Sequence, residues 1–561
     1  MKSSHPHRKQ RARTAVLLVL IMALAPRILM AASRFEVSLA PAIAKTPVTG
    51  HLLVVVSTKG DPEPRQQISF QGPGLFGKDV DAIGPDAHVV VDAGTLGYPA
   101  NLDKLPAGDY YAQAVLVTYT RVKRADGHAI WVPVEDRGVV SFDKPGNLVS
   151  GVAKLHLDPA SPDAVKLVLD HAIPPLPEEK DTRWLRHVRI HSKILSKFWG
   201  TDVSVVAHVL LPKGFDAHPD ARYPLIIPWE QGDRPFSFDS DPATNTEEAK
   251  RRAALSNLKT GYEFYQEWNS DHFPRVVAVT FEDPSPYFLD SYVVDSANNG
   301  PWGRAFTEEI IPYLEKKFRL IGKPYARIVE GASTGGWEAL AMQLYYPDYF
   351  GGAWVFNPDP ISFRHYQLVD IYKDDNMFSL PLGELASVER PFKRSHEGQP
   401  LLYVRQLARL EAVLGTHGRS GFQLDIWQAT HGPVGPDGYP ALLFDKLSGK
   451  IDHRVANYYR KHGYDLTAYL SDNWQTLAPK LRGKLNMFSG EMDDFYLNLG
   501  VYDFQNMLEE HDRDYPVRFE YGRPEKGHSW HLKGWAGTVR EMAEHIRATA
   551  PRDADVAQWN Y

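Results

Sequence analysis

The chain has 561 residues, 43% of them hydrophobic and 24% charged, with a formal net charge of −6 and no cysteine. That length exceeds one compact core and predicts two or three domains. The weak negative charge excludes an electrostatic case for nucleic acid or an anionic membrane. The lack of cysteine excludes disulfides and thiol-anchored lipid, so stability must come from cores of ordinary size.

Lys2, Arg8, Lys9, Arg11 and Arg13 precede an apolar run over residues 15–25, and Ala31, Ala32 and Ser33 follow it. Charged, apolar and small-residue regions in this order read as a secretory signal over residues 1–32, with a periplasmic or secreted location. The run is too short to span a bilayer, so no integral membrane segment is expected after cleavage.

Residues 33–173 read as strands separated by turn residues, at 51–56, 87–91, 110–120, 128–134, 139–142, 152–157 and 165–169. The strand-like alternation over Tyr110–Tyr119 and the Asp126-Gly127 turn support this reading. A β-sandwich-like domain is the simplest architecture for strands so spaced. Pro174, Pro175 and Pro177, followed by charged residues, mark a stiff linker over 174–183.

From 184 to 561 strands and helices alternate, which predicts an α/β domain with a doubly wound, mostly parallel sheet. Strands are expected near 188–194, 203–211, 223–228, 275–280, 328–329, 352–357, 485–490 and 517–521. Helices are expected near 247–258 and 302–318, the second with Phe306, Ile310, Leu314 and Phe318 on one face. Residues 358–480 form too long a connection for plain loop. They read as a mainly helical cap insertion, clearest at 401–413 and 455–459.

The chemistry centres on Gly331-Ala-Ser333-Thr-Gly335, entered by an apolar strand and left by a helix with Trp337, Leu340 and Leu344 at helical spacing. Gly-x-Ser-x-Gly in that context is a nucleophile elbow. Glycines flank the serine because a strained turn leaves no room for a Cβ. Thr334 N–H, at the start of the helix, is the first candidate oxyanion donor. The second is expected from the loop after the 223–228 strand, through the N–H of Trp229 or Gln231.

A serine needs a positioned base, and that imidazole needs a carboxylate. His528 follows the last expected strand and Asp493 the one before it, in the chain order Ser, Asp, His. Asp494, Glu491 and Asp359 compete with Asp493 as the acid. Asn298, Asn299 and Trp337 are expected to shape the substrate rim. His365, His396, His417 and His431 lack metal-ligand spacing, and neither a metal nor an organic cofactor is expected.

Residues 223–530 resemble the Putative esterase family of α/β-hydrolases, which includes esterase D (S-formylglutathione hydrolase) and enterochelin esterase-like proteins. The resemblance is carried by Tyr223-Pro-Leu-Ile-Ile, the Asp290–Gly303 segment, Gly331–Trp337, Tyr346–Gly351, Gly490-Glu-Met-Asp493 and Gly527-His528. It implies serine ester hydrolysis without a cofactor, through Ser333, Asp493 and His528, on a small-molecule or glycan ester. Two features depart from the family: Glu230-Gln231-Gly232 replaces its His-Gly dipeptide, and the gap from Ser333 to Asp493 is long. The same residues suit acyl transfer to an alcohol, and a non-catalytic binding or scaffold protein is the alternative from another class.

Overall fold

The computed structural model describes residues 31–561 apart from 44, 86, 135, 136, 159, 160, 230 and 231. The expected signal segment therefore lies outside the described residues, save Ala31–Ala32, a short strand parallel to His156 and Leu157. No helix among the described residues is long and apolar enough to cross a membrane.

Residues 31–172 are strands and short 3-10 turns. Ten strands join into one hydrogen-bonded sheet that includes Arg34–Leu39, Val48–Ser57, Gly74–Ile83, Gly108–Thr118 and Ala164–Ala172. The sheet curls on itself because Gly108–Thr118 pairs with Ala153–Leu157 along its first half and Leu148–Ser150 along its second. Alternation then assigns two cores. Leu52, Val54 and Val56 face inward with Phe35, Phe76 and Leu169. Leu53 and Val55 face outward onto Leu410, Val413 and Leu414 of a later helix. The expected strand at 139–142 is instead irregular chain ending in a 3-10 turn at Ser141–Asp143. Its Phe142 is buried against that second core, so tertiary contact replaces strand pairing.

The second sheet has eight strands in the order Leu185–His191, Ser204–Leu210, Val277–Glu282, Leu225–Trp229, Arg327–Ala332, Gly352–Phe356, Leu485–Gly490 and Arg518–Gly522. Its first two junctions are antiparallel, and the five from Val277–Glu282 onward are parallel. The central strands are mostly apolar and almost wholly buried, as covering both faces requires, and the reversal at Leu225–Trp229 brings several strand ends to one edge. The expected helix at 302–318 exists but widens to a π turn over Phe306–Ile310. Pro312 lacks the N–H that would bond residue 308, and Ile311 N–H reaches back to Phe306 instead.

Residues 358–480 hold two hairpins, at Ser379–Glu389 and Pro391–Tyr403, and the helices Val404–Leu414, Gln423–His431, His453–Lys461, Leu466–Asp472 and Trp474–Leu481. The residues expected to open the first helix, 401–403, are strand. The insertion also holds the N-terminal sheet. Val413 C=O accepts from buried His51, Arg409 donates to Gly97 C=O and Asn101, and Arg419 reaches Asp79 and Trp131 C=O.

Candidate active site

Ser333 ends the strand Arg327–Ala332 and caps the helix Thr334–Tyr345 with φ 58° and ψ −119°. This left-handed backbone costs about 1–3 kcal/mol for a residue with a Cβ. Two bonds hold it: Ser333 N–H donates to Phe356 C=O at 3.0 Å, and Ser333 C=O accepts from Asp359 N–H at 2.9 Å. The glycine requirement is physical. A Cβ at Gly331 would lie 2.2 Å from Gly335 O, and one at Gly335 only 1.6 Å from Trp229 O. Gly335→Ala is therefore expected to destabilise the fold by more than about 3 kcal/mol. Soluble yield and thermal unfolding measure this, and a wild-type melt would show that the elbow can relax.

The N–H groups of the first turn, Thr334 among them, have no acceptor within their helix and lie beside the serine. Trp229 stands in register with Gly331, its backbone against the elbow and its indole buried on Phe281 and Phe306. Gln231 lies outside the described residues.

The late strands deliver the acid and the imidazole. Asp493 is fully buried, and its Oδ2 lies 2.7 Å from His528 Nδ1. Its Oδ1 accepts from the N–H groups of Phe495 and Leu497, which hold the carboxylate in one rotamer. Asp494 instead accepts from the backbone N–H of His528 and sits 3.3 Å from His396 Nε2. Glu491 faces outward to Glu525 N–H and Arg523. Burial pulls the His528 imidazole down. The charge and hydrogen bond of Asp493, with the charges of Asp359 and Asp494, outweigh this and hold it above its ordinary value.

Asp359 touches the serine rather than the histidine. Its Oδ1 lies 3.5 Å from Ser333 Oγ. Its Oδ2 accepts from Thr334 Oγ1, Gln423 Nε2, Trp427 Nε1 and the Tyr292 hydroxyl. Burial raises the Asp359 carboxyl, against the hydrogen bonds from Tyr292 and Trp427 and the charge of His528. Ser333 therefore faces Asp359, whose charge reaches His528, and no hydrogen bond joins Ser333 to His528 among the described residues. Position after the Gly352–Phe356 strand was the only signal for Asp359. Gln423 and Trp427 carried none, since only the packing of the insertion brings them here. Asp359→Ala would remove this shared acceptor; Gln423 and Trp427 keep the Tyr292 hydroxyl as a partner, so the cost is that of one or two stranded donors, and a loss of about 3 kcal/mol in urea denaturation is expected. A loss below about 1 kcal/mol would mean that water replaces the carboxylate.

Three expected rim residues are not on the rim. Asn298 and Asn299 are fully buried. Asn298 Nδ2 donates to the carbonyls of Ala429 and Gly432, and Asn299 Nδ2 to Thr430 Oγ1. They satisfy groups at the C-terminal end of the helix Gln423–His431, where carbonyls lack intrahelical partners. Trp337 is buried between Tyr292 and His431 because it sits on the inner face of the elbow helix.

Two of the insertion histidines are bonded to carboxylates and a third is enclosed by aromatic rings. His365 bonds Asp503, and His417 bonds Asp437. His431 is caged by Trp337, Phe363, Tyr459 and Tyr464, where burial pushes its imidazole down to about 3. One group among the described residues, Glu179, His187 and His208, has the spacing of a metal-ligand set. It lies at the far edge of the eight-stranded sheet.

The model of the Putative esterase family matches residues 201–390, which include the elbow, and supports an ester-hydrolysing chemistry. No curated protein matches the chain. Among solved structures the chain is similar to a ferulic acid esterase, at 16% identity and a TM-score of 0.34, over 64% of this chain and 98% of that one. An S-formylglutathione hydrolase from Agrobacterium tumefaciens aligns at 12% identity and a TM-score of 0.31, over 66% and 98%. A ferulic acid esterase from Anaeromyces mucronatus in complex with ferulic acid aligns at 11% and 0.28, over 65% and 92%.

Proposed function

We propose that the protein is a serine hydrolase of carboxylic esters, on an α/β-hydrolase domain that follows an all-β domain and carries a cap. Ser333 Oγ attacks the ester carbonyl, and His528 Nε2, the ring nitrogen that Asp493 does not engage, takes the hydroxyl proton. The tetrahedral oxyanion is held by Thr334 N–H and an amide of the loop after Trp229. His528 then protonates the departing alcohol, leaving an acyl group on Ser333. Water, deprotonated by the same imidazole, releases the acid and restores the serine. The resting hydroxyl turns toward Asp359, so attack requires rotation about its Cα–Cβ bond toward the imidazole.

The observation that carries this reading is the bond from His528, partly exposed, to the buried Asp493 at the strand edge that also bears the strained Ser333. Asp493 fixes the Nδ1–H tautomer and leaves Nε2 to act as base. A fluorophosphonate probe tests it on purified protein. Covalent labelling that maps to Ser333, together with turnover of a panel of small-molecule and glycan esters, is expected. Absence of both would leave a binding protein with an inert site.

We also infer that residues 1–32 direct export to the periplasm or the outside. N-terminal sequencing of protein recovered from that compartment is expected to begin near residue 32 or 33.

A further inference from the structure

The linker and the edge of the eight-stranded sheet bring together side chains that ester hydrolysis does not use. His187 and His208 stand directly opposite each other on the antiparallel pair Leu185–His191 and Ser204–Leu210. Glu179, from the stiff linker, lies over them, with its Oε2 3.0 Å from His187 Nε2 and 3.1 Å from His208 Nδ1. These are not hydrogen bonds: Glu179 Oε2 and both ring nitrogens of His208 are buried without a hydrogen-bond partner. The His208 side chain is 0% exposed. Short separations without hydrogen-bond alignment are what co-ligands on one coordination sphere show. The edge of a tetrahedron with metal–ligand bonds of about 2.0–2.1 Å is about 3.3 Å.

The surroundings match the outer shell of such a site. His187 Nδ1, the nitrogen turned away from Glu179, lies 3.3 Å from Asp181 Oδ1, and His208 Nε2 lies 3.5 Å from Glu282 Oε1. A carboxylate on the distal nitrogen orients a ligating imidazole and raises its basicity. Arg137 is bonded to both Glu179 and Glu282 and holds these carboxylates in place.

We propose that Glu179, His187 and His208 bind one divalent transition-metal ion, with zinc as the best match to two imidazoles, one carboxylate and a fourth, water-filled position. The ion ties the linker to the sheet edge. Three strand spacings of about 4.8 Å, roughly 14 Å, separate the His208 strand from the nucleophile strand. The ion therefore lies apart from the ester-hydrolysing centre, and its fate does not depend on the hydrolase reading.

The test uses the full chain, stripped with dipicolinate and titrated with zinc, with bound metal measured by mass spectrometry and cobalt as the spectroscopic substitute. About one equivalent per chain is expected, with the visible absorption of four-coordinate cobalt and a higher thermal midpoint in zinc. Glu179→Gln and His187→Ala alter partly exposed positions, so folding is retained and checked by circular dichroism. Each is expected to weaken binding at least about 10-fold and to abolish the thermal shift, and Asp181→Asn, a positioning residue, to weaken it about 10-fold. Ser333→Ala should bind as the wild type does. Less than a tenth of an equivalent in the wild type, or undiminished binding in both ligand variants, would overturn the proposal and leave histidine–carboxylate ion pairs only.

Discussion

Ser333→Ala is expected to lower kcat/KM for p-nitrophenyl esters by at least about 10,000-fold while leaving the thermal midpoint near that of the wild type. At 1.36 kcal/mol per decade the loss is about 5.5 kcal/mol of transition-state stabilisation. The fold survives because alanine carries the same Cβ as serine. The hydroxyl it removes has only a long contact, 3.5 Å to Asp359 Oδ1. The backbone bonds to Phe356 and Asp359 that hold the strained turn are untouched. Turnover in the alanine variant within 10-fold of wild type would remove this serine from the reaction. The Asp493 and His528 pair would then need another nucleophile.

Asp493→Asn is expected to cost nearly as much in kcat, by a different route. Asp493 Oδ1 already accepts from Phe495 N–H and Leu497 N–H. An asparagine keeps its oxygen on those two donors and turns its NH2 toward His528 Nδ1. The imidazole then accepts at Nδ1 and carries its proton on Nε2, the wrong tautomer for a base, and a loss of about 10,000-fold follows. The pH profile gives a second readout. The base must be neutral to act, so a raised imidazole places the acid limb of the wild-type kcat/KM profile above that of an ordinary histidine. Removing the Asp493 charge takes away the largest influence that raises the imidazole, and the acid limb of the residual activity moves to lower pH. Asp494→Asn is the control, because a neutral amide oxygen still accepts from the His528 backbone N–H and the expected loss is below about 10-fold. Equal losses in the two variants would reassign the acid.

Much of the site was legible because each motif sits at a strand end, and the order of strands in an α/β sheet is constrained by local pattern. Gly331 and Gly335 announced a turn with no room for Cβ, and the clash distances show why. Asparagines misled: Asn298 and Asn299 look like loop residues facing solvent. Their amides instead bond the Ala429 carbonyl and the Thr430 hydroxyl, more than a hundred residues away, which no local pattern encodes. Asp359, Tyr292, Gln423 and Trp427 meet only because the insertion folds back over the elbow.

By itself the sequence determined the alternation of strands and helices, the elbow with its two glycines, and the chain order of serine, acid and imidazole. Hydrophobic period and turn chemistry are local properties. Tertiary structure alone decided that Asp493 rather than Asp494 faces the imidazole and that Asp359 faces the serine. It also decided that the N-terminal sheet rests on the insertion, and that Glu179 meets two cross-strand histidines. Each depends on which of several equivalent side chains a long-range packing contact turns inward, and separation along the chain carries no record of that choice.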